Sequence, residues 1–204
     1  MDYRSRAAFK LIQIDERFHI FRPGDSVVDL GASPGGWLQV ASEKVGERGK
    51  VIGVDLVSIR KLEGVETIVG DITDPETIRE LLERFGGKAD VVTSDMAPNI
   101  GGNYSTDHAR SVHLAEHALD VCDRLLKDNG KMVAKVFMGD MFNELKHHAE
   151  LRFDSVTVFT PDATRKASSE VYVICQGFHF RGVEPKPLPE KESTSKFRIR
   201  GELK

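Results

Sequence analysis

Two rhythms of apolar and polar positions alternate along the chain. Residues 26–31 (SVVDLG), 50–56 (KVIGVDL), 65–71 (VETIVGD), 89–95 (ADVVTSD) and 131–137 (KMVAKVF) are short apolar runs of strand length. Between and before them, residues 5–18, 35–45, 74–85, 106–130 and 139–151 place apolar side chains at helical spacing. Ser5 lies near the start of the first helix. Asp74 with Pro75 behind it is a strong helix-start signal, and Asn129-Gly130 reads as a helix stop.

Strands alternating with helices imply right-handed crossovers and a parallel sheet buried on both faces. Two further apolar runs, 153–160 and 170–178, have only PDATRKASS between them. That linker is too short for a parallel crossover, so these two should form an antiparallel hairpin at one edge. The expected fold is α/β and Rossmann-like: a seven-stranded, mostly parallel sheet with one antiparallel edge strand and helices on both faces. Residues 1–180 form one domain in this reading. Residues 181–204, rich in Pro and charge and poor in apolar residues, read as an extended tail.

A length of 204 residues suits one domain. The net charge is −3, so any nucleic-acid surface must be a local basic patch. Cys122 and Cys175 are far apart in apolar runs and form no C-x-x-C pair, which argues against a disulfide framework or structural zinc. No signal-peptide core or membrane-span window is present in the sequence, and a cytoplasmic monomer is expected.

Candidate chemistry begins at DLGASPGGW, residues 29–37. A glycine-rich turn after a strand is where a nucleotide binds in such sheets. The dinucleotide fingerprint is broken here, because Ser33 stands at the second glycine position counted from Gly31. The other strand ends carry Asp55, Asp71 and Asp95. A cleft lined by carboxylates repels a pyrophosphate. It suits S-adenosylmethionine, which has ribose hydroxyls, an ammonium and a sulfonium. Asp55 stands about 20 residues beyond the turn, the spacing at which an acid takes a ribose hydroxyl pair. Asp71 would accept from the adenine amino group. Gly31, Gly35 and Gly36 would let the cofactor approach the backbone, and Trp37 offers an apolar face. Ordinary capping roles for both acids, and a dinucleotide-dependent oxidoreductase, are the competing readings.

Lys135 stands in the otherwise apolar run MVAKVF, where lysine rarely goes without a partner. An edge position with the side chain reaching water is the alternative. Lys10 occupies a similar place in AAFKLI, Asp95 opens a Pro-Asn-Gly-Gly loop, and Glu170 begins the last run. HLAEH, residues 113–117, matches a zinc-peptidase pattern. Its helix is expected to run outside the sheet, away from the strand ends, with His108, His113 and Glu116 on a solvated face and no metal required.

In order and spacing, RAAFKL, VVDLGASPGGW, VIGVDL, GDITD, SDMAPN, VAKVF and SSEVYVI resemble the FtsJ family of RNA ribose 2′-O-methyltransferases. The resemblance runs from about Arg4 to Gly177. It implies a class I methyltransferase fold, S-adenosylmethionine as cofactor, and a catalytic tetrad of Lys10, Asp95, Lys135 and Glu170. It also implies cofactor contacts at Gly35, Trp37, Asp55, Asp71 and Asp95. The expected substrate is ribosomal RNA, a large-subunit uridine, within the large ribosomal subunit or outside it; transfer RNA is the alternative. A non-catalytic RNA-binding assembly factor is the alternative from another class. A ribose hydroxyl must lose its proton as it attacks, and Lys135 is expected to be the base, with Lys10 supplying a neighbouring like charge. Arg4 and Arg6, with Arg165 and Lys166, would contact RNA phosphates.

Overall fold

The structure is a computed structural model, and it describes residues 2–98, 101–165 and 168–179. The tail call on residues 181–204 and the candidate Lys166 lie outside those residues. The helices are α1 (Ala7–Phe18), α2 (Gly36–Val45), α3 (Pro75–Phe85), α4 (Tyr104–Leu125) and α5 (Phe142–Glu150). The strands are β1 (Ser26–Leu30), β2 (Lys50–Asp55), β3 (Val65–Val69), β4 (Ala89–Ser94), β5 (Leu126–Phe137), β6 (Phe153–Phe159) and β7 (Glu170–Phe178).

They form one seven-stranded sheet in the order β3-β2-β1-β4-β5-β7-β6. The chain winds outward from β1 to β3, then crosses back to place β4 on the other side of β1, with parallel pairing throughout. The point of reversal lies between β1 and β4, where such sheets open a crevice beyond the strand ends. The hairpin of β6 and β7 forms one edge, as the short linker requires, and it carries the one reversed strand. That strand is the inner one: β7 pairs antiparallel with both β5 and β6, leaving β6 outermost.

Side chains alternate between two buried layers, as the pleat dictates. Val27, Val51, Val91, Val133 and Tyr172 face α1 and α2. Val28, Ile52, Val92, Ala134 and Val173 face α3, α4 and α5. Helix α3 starts as expected: Asp74 accepts from the Glu76 N–H and Pro75 takes the first turn.

Three boundaries differ from the sequence reading. Helix α4 stops at Leu125, and Asn129 (φ 63°) sits instead in the irregular start of β5, beside a register shift between Ala89 and Val91. Asn-Gly suits either place because both need a left-handed residue. Helix α5 starts at Phe142, three residues after Gly139, which lies against the His108 ring where a Cβ would stand 2.5 Å from Cγ. Helix α1 begins without a side-chain cap, and Ser5 packs its hydroxyl against Gly36 instead.

Candidate active site

The rim formed by the carboxyl ends of β1, β2, β4 and β5 carries the chemistry. Four side chains from distant parts of the chain meet there. Lys10 on α1 pairs with Glu170 Oε1 at 2.5 Å. Lys135 on β5 pairs with Asp95 Oδ1 at 3.0 Å and donates to the Asp95 carbonyl at 2.7 Å. The Tyr172 hydroxyl joins the two pairs, standing 2.9 Å from Glu170 Oε1 and 3.1 Å from Asp95 Oδ1. A hydroxyl has one proton, so it donates to one carboxylate at a time. All four expected tetrad residues therefore belong to one connected network. The Lys135 side chain is only 10% exposed, so it is not an edge lysine reaching water.

Tyr172 is the member that the sequence reading missed. It is fully buried, with its ring 5.8 Å from that of Trp37. Burial, followed by the Asp95 and Glu170 carboxylates, raises its pKa, so the hydroxyl keeps its proton. The available signal was its place two residues after Glu170, which puts both side chains on one face of a strand.

A cavity of about 550 Å³ opens beside this network. Gly31, Asp55, Asp71, Asp95, His113 and His117 line it. Asp55 is oriented by the Ser33 N–H at 2.9 Å and the Val57 N–H at 3.1 Å. Asp71 accepts from the Thr73 N–H and hydroxyl; these bonds, reinforced by the nearby His117, hold its pKa below the usual carboxylate range. Asp95 belongs to both the cavity and the tetrad network.

The structure places the other expected residues as follows. The N-terminal segment lies close to Gly35 and Gly36: a Cβ would meet Arg4 Nη1 at 2.9 Å at the first and Ser5 Oγ at 2.2 Å at the second. Trp37 is buried away from the cavity, its indole N–H donating to the Ala7 carbonyl. The Arg4 guanidinium donates to the carbonyls of Pro34, Arg60 and Lys61. Arg6 and Arg165 are exposed. Helix α4 does not keep clear of the strand ends: His113 and His117 face the cavity, with their Nε2 atoms 2.9 Å apart. His108 is buried rather than solvated. Its Nδ1–H donates to the Phe137 carbonyl and its Nε2 accepts from the Met141 N–H. Among the described residues no group of three or more His, Cys, Asp or Glu could hold a metal ion.

Asp29, in β1 beneath the glycine turn, is buried with Oδ2 unpartnered, while Oδ1 accepts from the Thr93 hydroxyl at 2.7 Å. Burial above all, opposed by the Thr93 bond and aided by the Asp95 and Asp55 charges, pushes its pKa up to about 8. The unfolded value is about 4. Between the two, the folded chain holds a proton that the unfolded chain has lost. Stability therefore falls as pH rises through this window, and the loss is complete above about 8. Asn at this position keeps the acceptor for Thr93 and cannot ionise. The expected result is that melting temperatures of the parent and Asp29→Asn diverge from about pH 4 to about pH 8, to the disadvantage of the parent. A constant gap would refute the ionisation.

A switch-point cavity lined with acids, joined to a Lys-Asp-Lys-Glu cluster, defines a Rossmann-like protein with a candidate ligand site at its strand ends. A family model of FtsJ-like methyltransferases matches residues 3–178, and the chain belongs to that family. It is 54% identical over 172 residues to the ribosomal RNA large subunit methyltransferase E of Methanothrix thermoacetophila, covering 84% of this chain and 67% of that one. It is 53% identical over 175 residues to the protein of the same name from Natronomonas pharaonis, covering 86% and 69%. The chain thus spans about two thirds of the length of these relatives. A Plasmodium falciparum crystal structure described as a ribosomal RNA methyltransferase superposes with a TM-score of 0.79 at 29% identity, covering 86% of this chain and 98% of that one.

Proposed function

We propose that this methyltransferase transfers a methyl group from S-adenosylmethionine to a ribose 2′-hydroxyl of RNA, at a uridine of large-subunit ribosomal RNA. The observation that carries the reading is the placement of Lys135: it is fixed by Asp95, and Asp95 also walls the cofactor cavity. The names of the archaeal relatives favour ribosomal RNA.

The cavity fits the cofactor. Asp55 has acceptor capacity left for a ribose hydroxyl pair, and Asp71 for an amino group. Val54, Leu56, Ile72 and Leu114 supply apolar walls. The net negative rim suits a cationic ligand. When bound, the cofactor supplies a methyl carbon on a sulfonium.

The rest falls to the chain. To act as a base Lys135 must first give up a proton; the amine then has two hydrogens, which its two contacts with Asp95 can use. Its lone pair is then the remaining direction, and it accepts the proton of the 2′-hydroxyl as the oxygen attacks. Asp95 holds the amine in that orientation. Glu170 and Tyr172 hold Lys10 across the network, where its ammonium hydrogen-bonds the ribose. In-line positioning of oxygen, methyl and sulfur supplies the remainder of the acceleration. Exposed Arg6 and Arg165 would contact phosphates without reading sequence.

The deciding experiment is transfer of a tritiated methyl from S-adenosylmethionine to total ribosomal and transfer RNA, with mapping of the labelled nucleotide. Label on a base rather than a ribose, or no label, overturns the reading. Asp55→Ala is expected to weaken S-adenosylmethionine binding about 10- to 100-fold in calorimetry, by loss of one or two charge-assisted hydrogen bonds. Unchanged affinity would place the cofactor elsewhere.

A further inference from the structure

A second cleft, of about 310 Å³, shares no lining residue with the first cavity. It is lined by Gly102, Tyr104, Asp107, His108 and Phe137, with Ser168 and Ser169 opposite. Phe137 pairs with Glu170 in the β5–β7 ladder, and the Met138 N–H donates to the Ser169 carbonyl, so the cleft opens at the same strand ends as Lys135 and Glu170. Tyr104 is 61% exposed, yet its hydroxyl donates to the Met138 carbonyl at 2.6 Å. An exposed aromatic ring whose plane is tethered is a ready-made stacking surface, since little side-chain freedom remains to be lost. The segment before it is equally ordered: Asp107 accepts from the Gly101 and Gly102 N–H groups, and Asn103 caps α4.

The chemistry of the lining selects the occupant. The described lining is an aromatic ring, backbone, two serines and one carboxylate, with both His108 nitrogens engaged. Such a lining suits a flat, neutral, hydrogen-bonding group. We propose that this cleft holds an unstacked nucleobase of single-stranded RNA beside the reacting ribose, with Tyr104 as its stacking platform. The proposal rests on the reading of the substrate as RNA and adds the place where a base is gripped.

The test uses the full chain and a mixed-sequence single-stranded oligoribonucleotide carrying 5-iodouridine. Tyr104→Leu is expected to weaken binding about 10- to 100-fold, as loss of one base stack does. Tyr104→Phe should recover most of that affinity, and both variants should bind S-adenosylmethionine like the parent. Long-wavelength crosslinking should attach the iodouridine to Tyr104. Parental affinity in the Leu variant, or crosslinks confined to other segments, overturns the proposal. If the crosslink forms at Tyr104 but no RNA is methylated, the base site stands and the reaction reading fails. If RNA is methylated and the Leu variant binds normally, the reverse holds; an oligonucleotide that does not bind at all sinks both.

Discussion

Lys135→Ala is expected to lower methyl transfer to RNA by about 10²- to 10⁴-fold, the usual range for loss of a general base. Cofactor affinity and melting temperature should stay near the parent values. The side chain sits at the strand-end rim, outside the two hydrophobic clusters. Its removal leaves the Asp95 carboxylate facing water and the Tyr172 hydroxyl, so the uncompensated charge is not sealed in. Arginine would preserve the ion pair but stays protonated at any working pH, so Lys135→Arg should be as inactive as the alanine variant. Single-turnover methylation with saturating cofactor reads this out. Activity within about tenfold of the parent, in a folded variant, would remove Lys135 from the role of base.

Truncation of Tyr172 has the largest expected effect on stability. The ring is fully buried between β7 and α2 against Trp37. Loss of a buried aromatic side chain costs about 3–5 kcal/mol, which for a chain of this size lowers the melting temperature by about 10 °C. Tyr172→Phe separates packing from hydrogen bonding. It keeps the ring and removes only the hydroxyl that stands between Asp95 and Glu170, at a cost of about 1 kcal/mol. The Phe variant should fold normally, bind cofactor normally and turn over more slowly, because the two lysine–carboxylate pairs are no longer tied together. An alanine variant as stable as the parent, or a Phe variant with parental kcat, would show that the bridge has no such role.

The two kinds of feature in this molecule differ in how visible they were along the chain. The short linker between the last two strands dictated a hairpin, and a hairpin formed at the edge. Which member lies outermost follows from the two patterns: β6, FDSVTVF, interleaves polar residues as a half-exposed edge strand does, while β7 carries the continuous apolar run VYVIC of a strand buried on both faces. The glycines of DLGASPGGW were visible as glycines, but their reason was not. Gly35 and Gly36 also leave room for Arg4 and Ser5, about thirty residues earlier. The HLAEH spacing put His113 and His117 on one helix face correctly. It could not say that this face crosses the strand ends, because helix orientation over a sheet is set by packing of the opposite face.

Local order and chemistry were thus determined by the sequence alone. The alternation of strands and helices, the acids at strand ends, and two lysines in apolar surroundings all follow from side-chain periodicity and the rarity of buried charge. Tertiary structure alone decided which of these groups touch. Lys10 meets Glu170 across 160 positions, Lys135 meets Asp95 across 40, and Tyr172 joins them. Such meetings depend on the order of strands in the sheet and on the crossovers between them. Those are properties of the whole packed chain, and no window of residues contains them.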